Sequence, residues 1–350
     1  MPFTPVHTAL GGFLLHLSTS DLLADTGRVF GISGVLDGAI FGGSERWRWS
    51  AVAGLVLGPL LARLLGLQTI MPDPGMAAWA DQSMGRLGVA GLLVGLGSKL
   101  GSGCTSGHFL CGVARLSPRS FVATATFFTT AVLTANLFPA PITASVPAYT
   151  LQVPSATTTA RLTLGVATLL LANSARRRYF STLSNPPAMV RLVPFFLEGL
   201  TFSLGLLLSG MASPLKVISF LRILPPWAKF DPSLVMVVLT GVLPNALHYA
   251  RLKSTSSTPD SLKPRYSWES WQVPRRSDID RPLLLGSALF GVGWGLSGVC
   301  PGPAIVALGE IMVSGMTTGI TVSASLRGWI SFVISLVSGM RLARLLIQVS

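Results

Sequence analysis

The chain has 350 residues, of which 50% are hydrophobic and only 11% charged, and its mean hydropathy is +0.61. That balance excludes a water-soluble fold of this length and calls for a lipid bilayer as solvent. The formal charge of +13 is scattered through short loops without interleaved aromatic residues, so it reads as a topology signal and not as a nucleic-acid surface.

A helix crosses hydrocarbon with ~20 mostly apolar residues. Nine candidate spans follow in chain order, at about 6–23, 50–67, 85–98, 118–138, 158–174, 190–208, 232–249, 282–297 and 314–346, the last interrupted near Gly339. The first follows no basic n-region and carries no small-residue cleavage site, so it is expected to be retained. Four shorter apolar segments rich in Gly and Pro lie between the spans, at 29–43, 104–114, 214–224 and 300–309. They read as re-entrant half-helices, which membranes tolerate only where they are buried in protein or line a cavity. The 37 glycines and 24 prolines thus interrupt helices, with no collagen period. The expected fold is an all-α integral membrane protein of about nine transmembrane helices plus four re-entrant half-helices, in one domain over 1–350.

An outside N-terminus puts Arg46, Arg48, Arg115, Arg119, Arg176 to Arg178, the 250–281 segment, Arg341 and Arg344 on the cytoplasmic side, as the positive-inside rule asks. Lys216, Arg222 and Lys229 fall on the other side, while the sparsely charged 139–157 loop and the acidic Asp73 and Asp81 favour this orientation. The C-terminus is then cytoplasmic, and the default location is the plasma or bacterial inner membrane. The 250–281 stretch, with Ser254 to Thr258, Pro259, Pro264 and Pro274, is a long polar insertion whose composition suits a flexible cytoplasmic loop.

Setting Cys104 against Cys300 aligns Gly95, Gly97 and Leu100 with Gly291, Gly293 and Leu296. The chain then divides into a first repeat at about 1–140, a connecting helix at about 158–174 and a second repeat at about 190–350. Each repeat holds four spans and two re-entrant pieces, and the single connecting span inverts the second against the first. Inverted repeats are a transporter architecture, with the site at the midplane where broken helices meet.

The three cysteines, Cys104, Cys111 and Cys300, follow no zinc or disulfide spacing. Two of them lie within Gly-rich turns flanked by apolar residues, and the strongest local motifs contain all three. One is Gly95-Leu-Gly-Ser-Lys-Leu-Gly-Ser-Gly-Cys-Thr-Ser-Gly-His108 followed by Cys111-Gly-Val-Ala-Arg-Leu-Ser-Pro-Arg-Ser120; the others are Ser209-Gly-Met-Ala-Ser-Pro-Leu-Lys-Val217 and Gly298-Val-Cys-Pro-Gly-Pro303. With Gly31-Ile-Ser-Gly34, these resemble the signature elements of the YeeE/YedE family of sulfur-transport membrane proteins. The resemblance extends from about residue 28 to about 310. It implies an hourglass of spans and re-entrant helices that takes up thiosulfate, with no cofactor or metal. A cytoplasmic sulfur-carrier protein or sulfurtransferase stands as a candidate partner, beside the small sulfur anion and the lipid bilayer.

The residues support that reading physically. A divalent anion needs dipoles or donors at a constriction, and half-helix N-termini offer unpaired N–H groups that glycines let a ligand approach. The turns around Gly103, Gly107, Gly298 and Gly302 fit this role. A thiol is a weak, polarizable donor able to meet a terminal sulfur without trapping it. The candidate substrate-binding set is therefore Cys104, Cys300, Cys111, Gly103, Thr105, Ser106, Gly107, His108, Lys99, Gly298, Pro301 and Gly302, with Cys104 and Cys300 as the principal relays. Each cysteine also fits as a small buried hydrophobe, an alternative that weighs most for Cys111. His108 is placed to bond the anion or to cap its half-helix; the cap is preferred. His16 and His248 read as packing residues. Lys99 is an ionisable group at membrane depth or a snorkelling one. Glu198, Glu310 and Arg327 read as structural charges that pair with one another or with Lys216. Arg115 and Arg119 serve as topological anchors or attract exiting anions. Two rival functions stand beside transport: a membrane sulfurtransferase with a cysteine persulfide, and a channel for another small solute. The sequence around Cys300 offers an enzyme no neighbouring aspartate or histidine.

Overall fold

The structure, a computed structural model, describes residues 3–43, 45–72, 75, 77–139, 150–225, 229–254, 262–315 and 319–349. Asp73, most of the 139–157 loop, residues 255–261 of the polar insertion (Thr258 and Pro259 among them) and 316–318 of the last expected span lie outside the described residues.

The described residues are helical, with no strand beyond an isolated bridge between Phe3 and Leu151. A first set comprises α1 (Pro5–Thr26), α2 (Ile32–Phe41), α3 (Arg46–Leu64), the short α4 (Ala77–Asp81), α5 (Met84–Leu100), a π-helix (Thr105–Val113) and α6 (Pro118–Leu137). After the long α7 (Ala156–Thr182), a second set follows: α8 (Ala188–Ser209), α9 (Pro214–Leu221), α10 (Pro232–Ser254), α11 (Arg281–Ser297), α12 (Pro301–Gly315) and α13 (Gly319–Val349). Local chemistry sets the ends. Gly27, Gly210 and Gly298, at φ +69°, +77° and +73°, close α1, α8 and α11 in the left-handed conformation that glycine adopts without Cβ strain. Pro118, Pro214 and Pro301 open α6, α9 and α12, where a missing N–H costs nothing.

Among the described residues, five helical stretches are long and apolar enough to cross a membrane: Pro118–Leu137, Ala188–Ser209, Pro232–Ser254, Arg281–Gly315 and Ser323–Gln348. The pair of α5 and the π-helix, bent by 41°, makes a sixth if it is one broken span. The chain is therefore a multi-pass helical membrane protein. Polar residues lower the hydropathy of other helices in the expected set: α1 buries Asp21 and Asp25 among several hydroxyls, and α7 carries Arg161 and Arg176 to Arg178.

The two sets pack alike. α1 lies on α8 and α5 on α11, while α3 on α8 is matched by α10 on α1, and α5 on α13 by α11 on α6. The aligned glycines make these crossings possible. A Cβ on Gly95 would stand 1.9 Å from Leu336 O of α13, and one on Gly291 would stand 2.3 Å from Phe127 O of α6. A Cβ on Gly97 would likewise stand 2.3 Å from Phe290 N of α11, and one on Gly293 2.7 Å from Ala90 O of α5. Small residues at such crossings let backbones touch where lipid provides no hydrophobic drive.

Buried charges fix the ends of the bundle. Arg176 on α7 meets Glu198 of α8 at 2.5 Å and Asp25 of α1 at 3.5 Å, and Arg177 meets Asp21 at 2.5 Å and Asp25 at 3.3 Å. Arg265 reaches Asp25 at 2.6 Å, and the buried Tyr266 donates to it at 3.0 Å. Glu198 thus pairs with Arg176 in place of the expected Glu310, Arg327 or Lys216. Lys216 meets Asp231 at 3.2 Å and Thr4 Oγ1 at 2.7 Å, so this buried cation is paired where it stands.

The described part of the polar insertion differs from the expected flexible loop. Residues 250–254 complete α10, and 262–280 form a strap fixed to the last turn of α1 by Arg265 N–Ala24 O (2.9 Å), Tyr266 N–Asp25 O (3.1 Å) and Gln272 N–Gly27 O (2.9 Å). Glu269 pairs with Arg28, and Asp280 lies 3.2 Å from Arg119.

Candidate functional site at the meeting of the short helices

The four short helical segments converge. Ser106 Oγ, at the start of the π-helix, accepts from Ile32 N at the start of α2 (2.9 Å). Thr105 Oγ1, beside it, stands 3.5 Å from Cys300 Sγ, whose carbonyl accepts from Ala304 N in the first turn of α12. The α11–α12 turn touches α9 as well, because a Cβ on Gly298 would lie 2.3 Å from Pro214 O. Cys104 is the N-cap of the π-helix, with its Sγ 3.3 Å from Ser106 Oγ. The backbones of the α2 and π-helix turns also touch, with a Cβ on Gly31 falling 3.5 Å from Gly107 Cα.

A cavity of about 20 Å³ occupies this junction, bordered by Ile32, Thr105, Ser106, Cys300 and Gly302 and closed by Leu15, Phe109, Phe202 and Leu206. It holds about one water. On one side an apolar pocket of about 30 Å³ shares Thr105, Phe109 and Met211 with it and adds Phe128, Phe220 and Trp294. Toward the strap lies a larger basin of about 330 Å³, lined by Arg28, Arg48, Arg115, Arg119 and Arg276 together with Ser33, Gly34, His108 and Gln272. A further basin of about 430 Å³ shares Ser33, Gly34, Arg48, Ser102 and Gly103 with it and contains Asp37, Lys99 and Arg344. Wide basic basins thus adjoin a narrow junction of hydroxyl and thiol groups.

The structure brings some of the expected site residues together and leaves others apart. Thr105, Ser106, Cys300 and Gly302 line the junction, and Cys104 joins it through Ser106. Gly103, Gly107 and His108 line the basic basin. His108 is a strut there, with Nε2 2.9 Å from Gly101 O and Nδ1 3.1 Å from Ser120 Oγ, so both ring nitrogens are engaged by the protein. Donation from Nε2 to the carbonyl leaves Nδ1 to accept the serine hydroxyl. Gly298 and Pro301 set the α11–α12 turn, and Lys99 pairs with Asp37 at 2.7 Å, beside Arg344 at 2.8 Å. Cys111 lies apart, in a small cavity with Arg115, Asn245 and His248. His16 packs against Asn245 (2.8 Å), which also reaches Leu110 O (3.1 Å) and so ties α10 to α1 and the π-helix.

Sequence reasoning passed over Ser33, Arg28 and Asp37 as site residues, and Asp21 and Asp25 as anchors. The aspartates had a usable signal, since ionisable residues inside apolar helices point to partners or pathways. Ser33 had only its place in the Gly31-Ile-Ser-Gly34 motif.

Residues 3–133 match the family described as sulphur transport, and residues 190–348 match a family of unknown function, DUF6691. The chain is similar to a probable transporter of Xylella fastidiosa strain Temecula1, 47% identical over 127 residues that make up 36% of this chain and 90% of that protein. A probable transporter of strain 9a5c is 46% identical over 128 residues, 36% of this chain and 90% of its own. Another from strain 9a5c is 40% identical over 113 residues, 31% and 69% of the two chains. No solved structure matches. The sulphur-transport match covers the first helical set with its Cys104 turn, and two relatives named as transporters are matched over nine-tenths of their length. The chain belongs to the YeeE/YedE family of sulfur-transport membrane proteins.

Proposed function

We propose that this transporter takes up thiosulfate, or a closely related small sulfur anion, through the junction of the four short helices. In this reading the junction is the waist of an hourglass, α2, α9, the π-helix and α12 are re-entrant half-helices, and nine helices cross the bilayer. The two sets form an inverted repeat joined by α7, with the N-terminus outside and the strap and C-terminus cytoplasmic in a plasma or bacterial inner membrane. The matched packing of Gly95 with Gly291 and of Gly97 with Gly293 supports the repeat.

The observation that carries the proposal is the approach of Cys300 Sγ to Thr105 Oγ1 at 3.5 Å with Cys104 next in the chain, which brings both thiol turns to one narrow point. A dianion there meets neutral donors: the Cys300 thiol, with that of Cys104 next to it beside Ser106, the hydroxyls of Thr105 and Ser106, and the first N–H groups of the half-helices. None of these is a fixed cation that would trap it, and conduction needs binding weak enough to release. Both ring nitrogens of His108 are engaged by Gly101 O and Ser120 Oγ, so this histidine is not free to act as the base a persulfide nucleophile needs, which favours transport over sulfur transfer. A cytoplasmic sulfur carrier or sulfurtransferase would then consume the imported anion.

The test is uptake of labelled thiosulfate into vesicles carrying wild type, Cys104→Ala or Cys300→Ala. Uptake without chemical change by wild type, and its loss in folded variants, is expected. Unimpaired uptake by either variant overturns the relay, and sulfur transfer to cyanide by the detergent-purified protein overturns the non-enzymatic reading.

A further inference from the structure

Three buried donor atoms along the basic basin have no hydrogen-bond partner among the described residues: Ser33 Oγ, Arg119 Nη2 and Arg28 Nε. Ser33 is 3% exposed and Arg119 6%, so bulk water does not relieve them. A buried polar group left unpaired carries a desolvation cost, and a cluster of donors alone marks where an acceptor belongs. The α2 N-terminus adds to the set. Ser106 Oγ takes the N–H of Ile32 and Gly31 O takes that of Val35, while Ser33 and Gly34, whose N–H groups belong to the first helical turn, line the basin. The acidic partners of Arg28 and Arg119, which are Glu269, Asp278 and Asp280, are absent from the basin's lining, whereas five arginines border it.

We propose that the basin contains a second anion site, built by Ser33, the α2 N-terminus, Arg119 and Arg28, that binds a tetrahedral divalent oxyanion of sulfur. Guanidinium and hydroxyl donors are hard partners that suit sulfonate-type oxygens, and the thiols of the junction suit a terminal sulfur. The two sites together divide recognition: the basin reads the oxygens and the waist reads the sulfur. Hydrosulfide, which has no oxygens, is rejected at the basin. The role of this site in permeation rests on the thiosulfate reading; its existence does not.

Calorimetric titration of the full-length protein in detergent with sodium sulfate, sodium thiosulfate and sodium hydrosulfide tests the inference. Wild type is expected to bind sulfate one to one at the basin, thiosulfate to displace that sulfate, and hydrosulfide not to compete. Ser33→Ala, which removes one small hydroxyl and leaves the arginines in place, is expected to weaken both oxyanions about tenfold or more, the worth of a hydrogen bond to a charged group. Arg119→Gln should weaken them further, and Ser33→Ala keeps the test valid if losing the Arg119 contacts to Asp278 and Asp280 of the strap prevents folding. Sulfate affinity unchanged in Ser33→Ala, or sulfate displaced equally well by chloride, overturns the site. Thiosulfate uptake by wild-type vesicles alongside such a result would leave the transport reading standing. Sulfate binding as expected with no thiosulfate uptake would instead uphold the site and remove the permeant.

Discussion

Two glycines flank Cys300 two residues either side, and the structure assigns them opposite fates on substitution by alanine. Gly298 sits at φ +73°, and a Cβ there would lie 2.3 Å from Pro214 O and 2.9 Å from Ile218 Cγ1. The left-handed conformation alone costs a residue with a Cβ about 1 kcal/mol. The clash is with backbone, so α9 and the α11–α12 turn must separate, and overpacking of this kind adds about 1–3 kcal/mol. Gly298→Ala should therefore lose about 2–4 kcal/mol, seen as a lower melting temperature in detergent and a lower yield of inserted protein. Gly302 has no such constraint, since its added methyl would meet Leu206 Cδ1 at 3.4 Å and Ile32 Cγ1 at 3.8 Å, ordinary contacts inside the first turn of a helix. Alanine there gains about 0.5–1 kcal/mol of helix propensity. That methyl, however, points into a cavity of only about 20 Å³. Gly302→Ala should melt no lower than wild type and yet slow thiosulfate uptake by an order of magnitude or more. If Gly298→Ala melts like wild type, the turn is not held as described; if Gly302→Ala transports at the wild-type rate, the junction is not the route.

Asp25→Asn removes the carboxylate shared by Arg176, Arg177 and Arg265, and leaving buried guanidinium groups underpaired should cost about 3–5 kcal/mol, read as loss of folded protein on size-exclusion chromatography. Lys216→Met should destabilise by a similar about 3–5 kcal/mol because Asp231, fully buried, loses its cation, whereas Lys216→Met with Asp231→Leu should recover most of the loss in a double-mutant cycle by thermal melting. The strap should respond to acid: Asp278 is held below the usual carboxylate range, chiefly by the hydrogen bond from Arg276. A depressed carboxyl contributes above its unfolded value and loses that contribution as pH falls through the folded one, so protease cleavage within 262–280 should stay constant from about pH 8 to 5 and rise only below about pH 4.

The most legible parts of the site were those where backbone geometry leaves a mark on residue type. Left-handed caps need glycine, helix starts accept proline, and backbone crossings exclude side chains, so Gly298, Pro301 and the Gly95–Gly97 and Gly291–Gly293 pairs could be placed from sequence and aligned with one another. The Cys104 and Cys300 turns were legible for the same reason. The charge network was not. Arg176 and Arg177 satisfy a topology rule wherever they sit near a membrane surface, and nothing local reveals that their carboxylates come from α1 and α8. The strap escaped notice for a different cause. Its attachment to α1 runs mostly through main-chain atoms of Arg265, Tyr266 and Gln272, and composition is blind to hydrogen bonds that any residue type can make. Ser33 escaped because a buried serine is unremarkable until its partners are counted.

On the transport reading proposed above, these features together let a route for a dianion avoid becoming a trap. The arginines sit in the wide basin toward the strap, and the junction itself is lined by hydroxyls, a thiol and apolar side chains. Placing the fixed charge beside the waist and not in it attracts the anion over a distance where residual water screens it, so the ion gains local concentration without a deep well at the narrowest point. Lys99 fits the same division: the cation in the Gly-rich motif is taken out of the path by Asp37, which also holds Arg344, and so anchors α2 and α5 to α13. It follows that Asp37→Asn should harm transport by releasing a cation toward Gly103 as much as by loosening the helices. Thiosulfate uptake measured against ionic strength separates the two effects. A released charge that overbinds the anion is relieved by salt, whereas a loosened bundle is not.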